Sequence, residues 1–111
     1  ENEEVVEAIR FIRDHAADGI AVADVLKRVP VSRRWLEMRF REYLGRSPAA
    51  EIRRVRLAKA AELLIHSDLP IARIAVVCGF SNATRLGIAF RNHFHRTPLA
   101  YRQDASLRFH L

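Results

Sequence analysis

The feature that most constrains the fold of this chain is an internal repeat of about fifty residues. The segment FREYLGRSPAA at 40–50 aligns with FRNHFHRTPLA at 90–100, including Phe-Arg and Arg-Ser/Thr-Pro at the same spacing. Upstream the offset is forty-nine and pairs Ser32 with Ser81, so the second copy gains one residue just after its serine. Self-similarity over such a length indicates that one supersecondary unit occurs twice.

Each copy has the pattern of a short helix, a tight turn and a longer capped helix, which is the pattern of a helix-turn-helix. Every apolar segment has helical spacing and none alternates as a strand would. We expect Ser32 to cap the longer helix of the first copy and Ser81 that of the second. The apolar residues expected to face inward from these two helices are Leu36, Phe40, Tyr43 and Leu44, and Leu86, Ala89, Phe90 and Phe94.

Between the two copies, Pro48 begins a long apolar-patterned segment that runs to about His66. We therefore predict an all-α fold of about seven helices, with two helix-turn-helix subdomains joined by a long linker helix. The predicted parts are 1–47 (N-terminal helix and first helix-turn-helix), 48–66 (linker helix), 67–103 (second helix-turn-helix and closing helix) and a C-terminal tail at 104–111. The chain has the length of one domain and no initiator methionine, so we expect a domain cut from a longer protein.

The charge distribution indicates a polyanionic partner. The chain has a net charge of +6, and all but two of its nineteen bases are arginine, whose planar fork suits phosphate and guanine. Residues 27–59 hold eleven bases against three acids, and residues 69–103 hold five arginines and no acid. A single basic run is often only a solvated face, but two separate basic blocks in one small domain favour nucleic acid.

The composition excludes several kinds of protein and site. No apolar run approaches the roughly 18 residues of a membrane-spanning helix. The single cysteine, Cys78, excludes an intrachain disulfide and is expected to be a small buried filler rather than a redox switch. His93 and His95 are two apart on a predicted helix, so they diverge by about 200° and make a poor metal site. We expect no membrane span, no metal and no cofactor.

Three segments, VSRRWLEMRFREYLGRSPAAEIRRVRLAKAAELL, DLPIARIAVVCGFSN and AFRNHFHRTPLAYR, resemble the DNA-binding domain of AraC/XylS transcription regulators. The resemblance covers residues 5–103, and the stretch from Ile9 to Gly45 is most similar to the xylose-operon regulator branch. It implies two recognition helices in successive major grooves of double-stranded DNA. The linker of 19 residues would be roughly 28 Å long, of the same order as the roughly 34 Å between successive grooves.

The resemblance places base contacts on the outer face of the first longer helix, at Arg34, Glu37 and Met38, with Arg33 and Trp35 at its edge. Arginine can donate to guanine O6 and N7, and glutamate can accept from cytosine N4. Two alternatives stay open. The first is that Arg34 and Glu37 pair with each other across one helical turn and do not contact bases. The second is that Trp35 packs in the core instead of contacting a base.

Applied to the second copy, the offset of fifty places Thr84, Gly87 and Ile88 on the equivalent face, with Asn82 and Arg85 as further polar candidates. The family often has serine and arginine at 87 and 88. Isoleucine can contact only a thymine methyl group, and glycine permits close approach of the helix backbone. We therefore predict that the first copy carries most direct readout and the second contributes anchoring and shape. The alternative is that Gly87 relieves crowding against a neighbouring helix or an absent domain.

Phosphate contacts are expected from the starts of the two recognition helices and from four arginines. The predicted phosphate-binding residues are Ser32, Arg41, Arg46, Ser81, Arg91 and Arg96. Arg46 or Arg96 is alternatively a structural clamp on the following helix. Pro30 stands where the family's first turn usually has glycine, and because proline cannot take positive φ, that turn must differ from the second, where Gly79 fits.

The expected function is sequence-specific binding of double-stranded DNA by a bacterial transcription regulator, an activator of a sugar-catabolism operon. Its location would be the cytoplasm, on the nucleoid, with RNA polymerase as a further partner and the effector-sensing domain absent from this chain. No catalytic constellation is recognisable, so an enzyme is not expected. The alternatives are a helical protein–protein adaptor and a basic RNA-binding domain. Steep salt dependence of DNA binding would distinguish the DNA-binding domain from the adaptor.

Overall fold

The computed structural model describes the backbone of residues 2–110 and the side chains of residues 2–107, and its regular elements are all helices. They are α1 (Asn2–His15), a 3-10 turn (Ala16–Asp18), α2 (Val22–Arg28), α3 (Arg33–Leu44), α4 (Pro48–His66), α5 (Ile71–Val77), α6 (Ala83–Phe94) and α7 (Pro98–His110). This confirms the all-α fold of about seven helices. Among the described helices, none is both long and apolar enough to cross a membrane.

The chain forms two compact units, one ending at Val55 and the other beginning at Arg56. The boundary falls inside α4, so the first part of this helix belongs to unit 1 and the remainder to unit 2. Each unit has a buried apolar cluster of its own. Burial of each large apolar side chain contributes about 1.5–3 kcal/mol, which is why each unit is organised around such a cluster.

The core of unit 1 is built from one face of each of its helices. The α1 residues Val5, Ala8 and Ile12 are fully buried and are three or four residues apart, as expected for one helical face. From the other helices and connections of the unit, the buried apolar residues are Ala16, Val22, Val25, Val29, Leu36, Phe40 and Ile52. The predicted inner face of α3 is thus confirmed at Leu36 and Phe40.

Tyr43 was expected inside this core, and that prediction is wrong. Its side chain is 49% exposed, and its hydroxyl group hydrogen-bonds to the side chain of Asn2. A tyrosine has an apolar ring and a polar tip, so it can lie at the rim of a core with the hydroxyl turned outward.

Unit 2 repeats the arrangement around Phe90, which corresponds to Phe40 and is likewise fully buried. Its other buried apolar residues are Leu57, Ala60, Ala61, Leu64, Ile74, Ala75, Cys78 and Leu86. The centroid of the Phe90 ring lies 4.5 Å from the ring centroid of Phe94 and 5.2 Å from that of Tyr101. The contact with Tyr101 connects α6 to α7. The expected burial of Cys78 is confirmed, and burial raises the pKa of its thiol.

The two longer helices start at equivalent positions, but one predicted cap is wrong. Ser32 caps α3, its Oγ accepting from the Trp35 N–H at 3.0 Å. Asn82, not Ser81, caps α6, its Oδ1 accepting from the Arg85 N–H at 2.9 Å. The extra residue of the second copy lengthens the turn before α6, so Ser81 falls one position short of the cap.

The two turns differ in conformation, as Pro30 led us to expect. In unit 1, α2 ends on an extended Val29 (φ −116°, ψ 113°), and the Val31 N–H donates to the Val29 carbonyl oxygen at 2.8 Å around Pro30. This bond, from the N–H of residue i+2 to the carbonyl oxygen of residue i, closes a γ-turn with Pro30 at its centre. The φ to which the proline ring is fixed suits the central position of such a turn. In unit 2, Gly79 has a φ of 98°, which glycine adopts without strain.

The closing helix is longer than predicted. The sequence predicts a closing helix that ends by about 103 and a tail at 104–111, whereas α7 continues from Pro98 to His110. Ala105 is buried, so the segment after 103 contributes an apolar contact to unit 2. No glycine or proline follows Pro98, so the local sequence contains no stop signal for the helix. Leu111 lies outside the described residues.

Candidate nucleic-acid interface

The face of α3 opposite its core residues is open to solvent. Arg33, Arg34 and Arg41 are exposed, Met38 is 52% exposed, and Glu37 is partly exposed beside them. Glu37, Met38 and Arg41 follow Arg34 by three, four and seven residues, which places all four on one side of the helix, with Arg33 at the edge. The structure thus places the predicted reading residues on one accessible surface, which we call the α3 face.

Arg34 and Glu37 do not pair with each other in the part of the chain that the structure describes. The ion pairs of unit 1 there join other residues, such as Arg39 with Glu42 at 3.1 Å. Neither Arg34 nor Glu37 has a side-chain partner among the described residues. The guanidinium donors of Arg34 and the carboxylate oxygens of Glu37 are therefore available to a ligand, and the structure does not adopt the alternative in which they satisfy each other.

Trp35 lies at the edge of the α3 face and is partly buried. One side of the residue packs against the core of unit 1. The guanidinium carbon of Arg39 lies 5.4 Å from the centroid of the ring. The ring is therefore held in place, and packing is part of its role, whereas its assignment as a base contact stays a prediction.

The equivalent surface of α6, the α6 face, is accessible but much less polar. Thr84, Arg85 and Arg91 are exposed, Ile88 is 58% exposed, and Gly87 lies between them. Ile88 is not among the described apolar residues that pack against the core of unit 2. The α3 helix carries four arginines and two glutamates, whereas α6 carries two arginines and no acid.

Gly87 does not relieve crowding within the described part of the chain. A Cβ atom built on it would meet no heavy atom within 4 Å, and its backbone is not in the left-handed region. Alanine would therefore fit here without strain, and would suit the helix better. Crowding by the described residues therefore does not explain the glycine, and its role at the α6 face stays a prediction.

The capping role of Asn82 limits what this residue can read. Its Oδ1 accepts from the Arg85 N–H, which occupies one of the two lone pairs of that oxygen. An asparagine that recognises adenine uses both its acceptor and its donor. The cap fixes the orientation of the Asn82 amide, so any contact with a base or a phosphate must be made in that orientation.

Arg46 is held by a buried carboxylate that the sequence analysis did not identify as a site. Its Nε donates to Oε1 of Glu51 at 2.6 Å, and its Nη1 donates to the Leu44 carbonyl oxygen at 3.3 Å. Glu51 is fully buried and also accepts two bonds from Arg54, at 2.8 and 2.9 Å. The hydrogen bond from Arg54 lowers the pKa of the Glu51 carboxyl group by more than desolvation raises it. The hydrogen bond from Arg46 lowers this pKa further, so the net shift is downward.

Arg96, the counterpart of Arg46, also pairs with the following helix, through the carboxylate of Asp104 on α7. Both arginines thus adopt the clamp arrangement that the sequence left as an alternative. Arg41 and Arg91 are exposed and have no side-chain partner among residues 2–107. The assignment of Arg46 and Arg96 to phosphate stays a prediction, and the geometry favours the other pair.

Arg102 has a structural role that the sequence analysis missed. Its Nε and Nη2 donate to the carbonyl oxygens of Leu64 and Ser67, both at 3.1 Å, and so satisfy the end of α4. These partners are 38 and 35 residues away in the chain, so no local spacing indicates the contact. The Glu51–Arg54 pair, by contrast, has the i, i+3 spacing that a search for helical ion pairs would find.

A family model described as a helix-turn-helix domain matches residues 25–104. Among curated proteins, the chain is 39% identical over 98 residues to a xylose operon regulatory protein of Escherichia coli (strain K12), covering 88% of this chain and 25% of that protein. It is 35% identical over 101 residues to the HTH-type transcriptional activator RhaS of Escherichia fergusonii, covering 89% and 36%. The chain thus spans about a quarter to a third of these relatives.

Solved structures show the same fold. The structure of the xylose-binding transcription activator xylR matches with a TM-score of 0.79 and 38% identity, over 91% of this chain and 27% of that one. An AraC-type DNA-binding domain regulator from Chromobacterium violaceum matches with a TM-score of 0.85 and 31% identity, over 95% and 94%. The DNA-binding domain of AdpA in complex with a target DNA matches with a TM-score of 0.89 and 28% identity, over 95% of each chain.

Proposed function

The chain belongs to the AraC-type helix-turn-helix domains, and on that premise we propose that it binds double-stranded DNA sequence-specifically through α3 and α6. The observation that carries the proposal is the pair of capped helices fifty residues apart, each with an accessible face and with arginines that no described side chain engages. In a domain of this family such faces are suited to enter two successive major grooves.

The proposal for the whole protein is supported by the names of the relatives. The chain is a DNA-binding part of a bacterial transcription regulator that acts on the nucleoid in the cytoplasm. The names of the xylose operon regulatory protein and the activator RhaS support activation of a sugar-catabolism operon. RNA polymerase is then a further partner, and the effector is bound by a part of the protein outside this chain.

On the α3 face the chemistry favours direct readout. Arg34 supplies a planar fork of donors for guanine O6 and N7, and Glu37 supplies an acceptor for the N4 amino group of cytosine. Met38, beside them, is flexible and apolar and suits a thymine methyl group. Each well-formed contact of this kind discriminates against the wrong base by about 1–3 kcal/mol.

On the α6 face the chemistry favours contact and shape over hydrogen-bonded readout. Ile88 can distinguish only the thymine methyl group. Gly87 lets the helix backbone approach the bases closely, and Arg85 and Arg91, which no described side chain engages, attract phosphates. We propose that unit 1 sets most of the sequence preference and that unit 2 sets affinity.

The test begins by selecting preferred duplexes from a random library with the unaltered protein. Selection is then repeated with Glu37→Ala and with Ile88→Ala, with Arg13→Ala on α1 as a control for loss of an exposed charged side chain. Glu37→Ala should relax preference at one base pair in the α3 half of the site by about 1–3 kcal/mol. Greater relaxation by Ile88→Ala would contradict the division between the units.

Two measurements distinguish DNA binding from the alternative functions: the salt dependence of DNA affinity, and competition by an RNA duplex. A protein that neutralises several phosphates loses affinity steeply as salt rises, whereas a protein–protein adaptor has no such dependence on DNA. A-form RNA has a deep, narrow major groove that side chains cannot read. Weak, shallow salt dependence would favour the adaptor, and equal binding of duplex RNA of the same sequence would favour an RNA-binding domain.

A further inference from the structure

Trp35 is neither a wholly buried core residue nor part of the open α3 face. Trp35 packs against the core of unit 1, and the Arg39 guanidinium lies over its ring. Arg39 is itself held by Glu42, with 3.1 Å between Nη1 and Oε1. The indole is therefore fixed in orientation before any ligand arrives.

The polar atom of this fixed ring is unused. Among the residues that the structure describes, only the backbone N–H of Trp35 forms a hydrogen bond, to Ser32, and the indole N–H has no acceptor. The indole nitrogen is not among the buried side-chain atoms that lack a partner, so this N–H stays accessible to a ligand. Because the indole N–H donates and cannot accept, only an acceptor can engage it.

The position of Trp35 around α3 indicates where that acceptor lies. Successive residues of a helix are about 100° apart, so Trp35 lies about 60° from Met38 and about 100° from Arg34. Glu37 lies on the other side of the same face. For a helix lying in a major groove, the middle of the exposed face meets the bases and its flanks meet the sugar–phosphate walls.

We propose that Trp35 donates its indole N–H to a DNA phosphate oxygen on one wall of the groove and so fixes the rotation of α3 relative to the bases. The proposal rests on the proposed function. It makes Trp35 a positioning residue for the contacts of Arg34 and Glu37, and not a reader of a base.

The test uses Trp35→Phe, which keeps an aromatic ring for the core and for Arg39 but removes the donor. Affinity for a duplex selected with the unaltered protein should fall about tenfold, the typical effect of losing a hydrogen bond to a charged group. The slope of affinity against salt should stay the same, because a neutral donor releases no counterion.

Ethylation interference on that duplex provides the decisive measurement. Ethylation of one phosphate beside the α3 half-site should weaken binding of the unaltered protein, and this single position should lose its effect with Trp35→Phe. A fold defect would lower binding at every position equally, so it cannot imitate this result. An unchanged interference pattern would overturn the proposal, and so would a base preference relaxed by Trp35→Phe at a base pair other than those that Arg34→Ala and Glu37→Ala affect. Failure of the unaltered protein to select any duplex would overturn the proposed function itself.

Discussion

Gly87→Ala should make the free protein more stable and its DNA complex weaker. Gly87 lies in the interior of α6 with ordinary helical backbone geometry, and an added Cβ would meet no heavy atom within 4 Å. The substitution therefore creates neither a clash nor a cavity. The expected gain is the difference in helix propensity, about 1 kcal/mol, which would raise the melting temperature by about 5 °C in a unit of this size.

The opposite effect is expected for binding, because the same methyl group would stand between the α6 backbone and the base edges. A methyl group forced into a closely packed contact costs about 1–3 kcal/mol. Because each 1.4 kcal/mol is a factor of ten in affinity, Gly87→Ala should weaken binding by a factor between about 5 and about 140. The loss should appear on the selected duplex in a fluorescence anisotropy titration.

Urea denaturation followed by circular dichroism measures the stability half of the prediction. Ala58→Gly, at an exposed position of α4, makes the reverse change and should lose about as much stability as Gly87→Ala gains. If Gly87→Ala destabilises the protein, the space around the residue is not open. If it stabilises the protein and leaves DNA affinity unchanged, no close approach of α6 to DNA occurs and our explanation of the glycine is refuted.

Two further variants test the structural contacts near the predicted phosphate sites. Glu51→Gln should lower the free energy of unfolding at neutral pH by about 2 kcal/mol. This loss is smaller than that expected when a fully buried ion pair is broken, because the Arg46 side chain is 37% exposed and solvent screens its charge. Since the folded-state pKa of Glu51 is lowered, its contribution is present above the ordinary carboxyl pKa and is lost as the pH falls through the folded value. Urea midpoints measured from pH 6 to about pH 2 should therefore fall more steeply in the unaltered protein than in Glu51→Gln, and parallel curves would contradict this. His95→Gly should raise the free energy of unfolding by about 0.5–1 kcal/mol and so raise the urea midpoint, because His95 has a φ of 63°, which glycine adopts without strain. At the equivalent position, α3 ends on Gly45. An unchanged or lower midpoint would show that His95 is not strained.

The helical fold was predictable because it depends on local patterns that the sequence repeats. The spacing of Leu36 and Phe40, with Phe90 fifty residues later, indicated both the cores and the duplication. Pro30 predicted that the two turns would differ, because a proline ring has only one range of φ. These inferences use neighbouring residues and backbone sterics, and they need no knowledge of which distant residues meet.

What the sequence left undetermined depends on single positions or on distant contacts. Ser81 and Asn82 are both good capping residues, and only the length of the turn decides which one reaches α6. The bonds from Arg102 to the end of α4 join residues far apart in the chain, so spacing could not indicate them. The reading faces were predictable as surfaces, whereas the partly buried state of Trp35 and the open space at Gly87 needed the structure.

The central claim is that both helices read one duplex, and methylation protection of guanine N7 in the major groove tests it most directly. The measurement is made on the duplex selected with the unaltered protein, and repeated on the promoter beside the gene. We predict two protected major-groove segments whose centres lie about one helical turn, roughly 34 Å, apart on the same face of the duplex. Protection of a single groove, with no second segment one turn away, would contradict it.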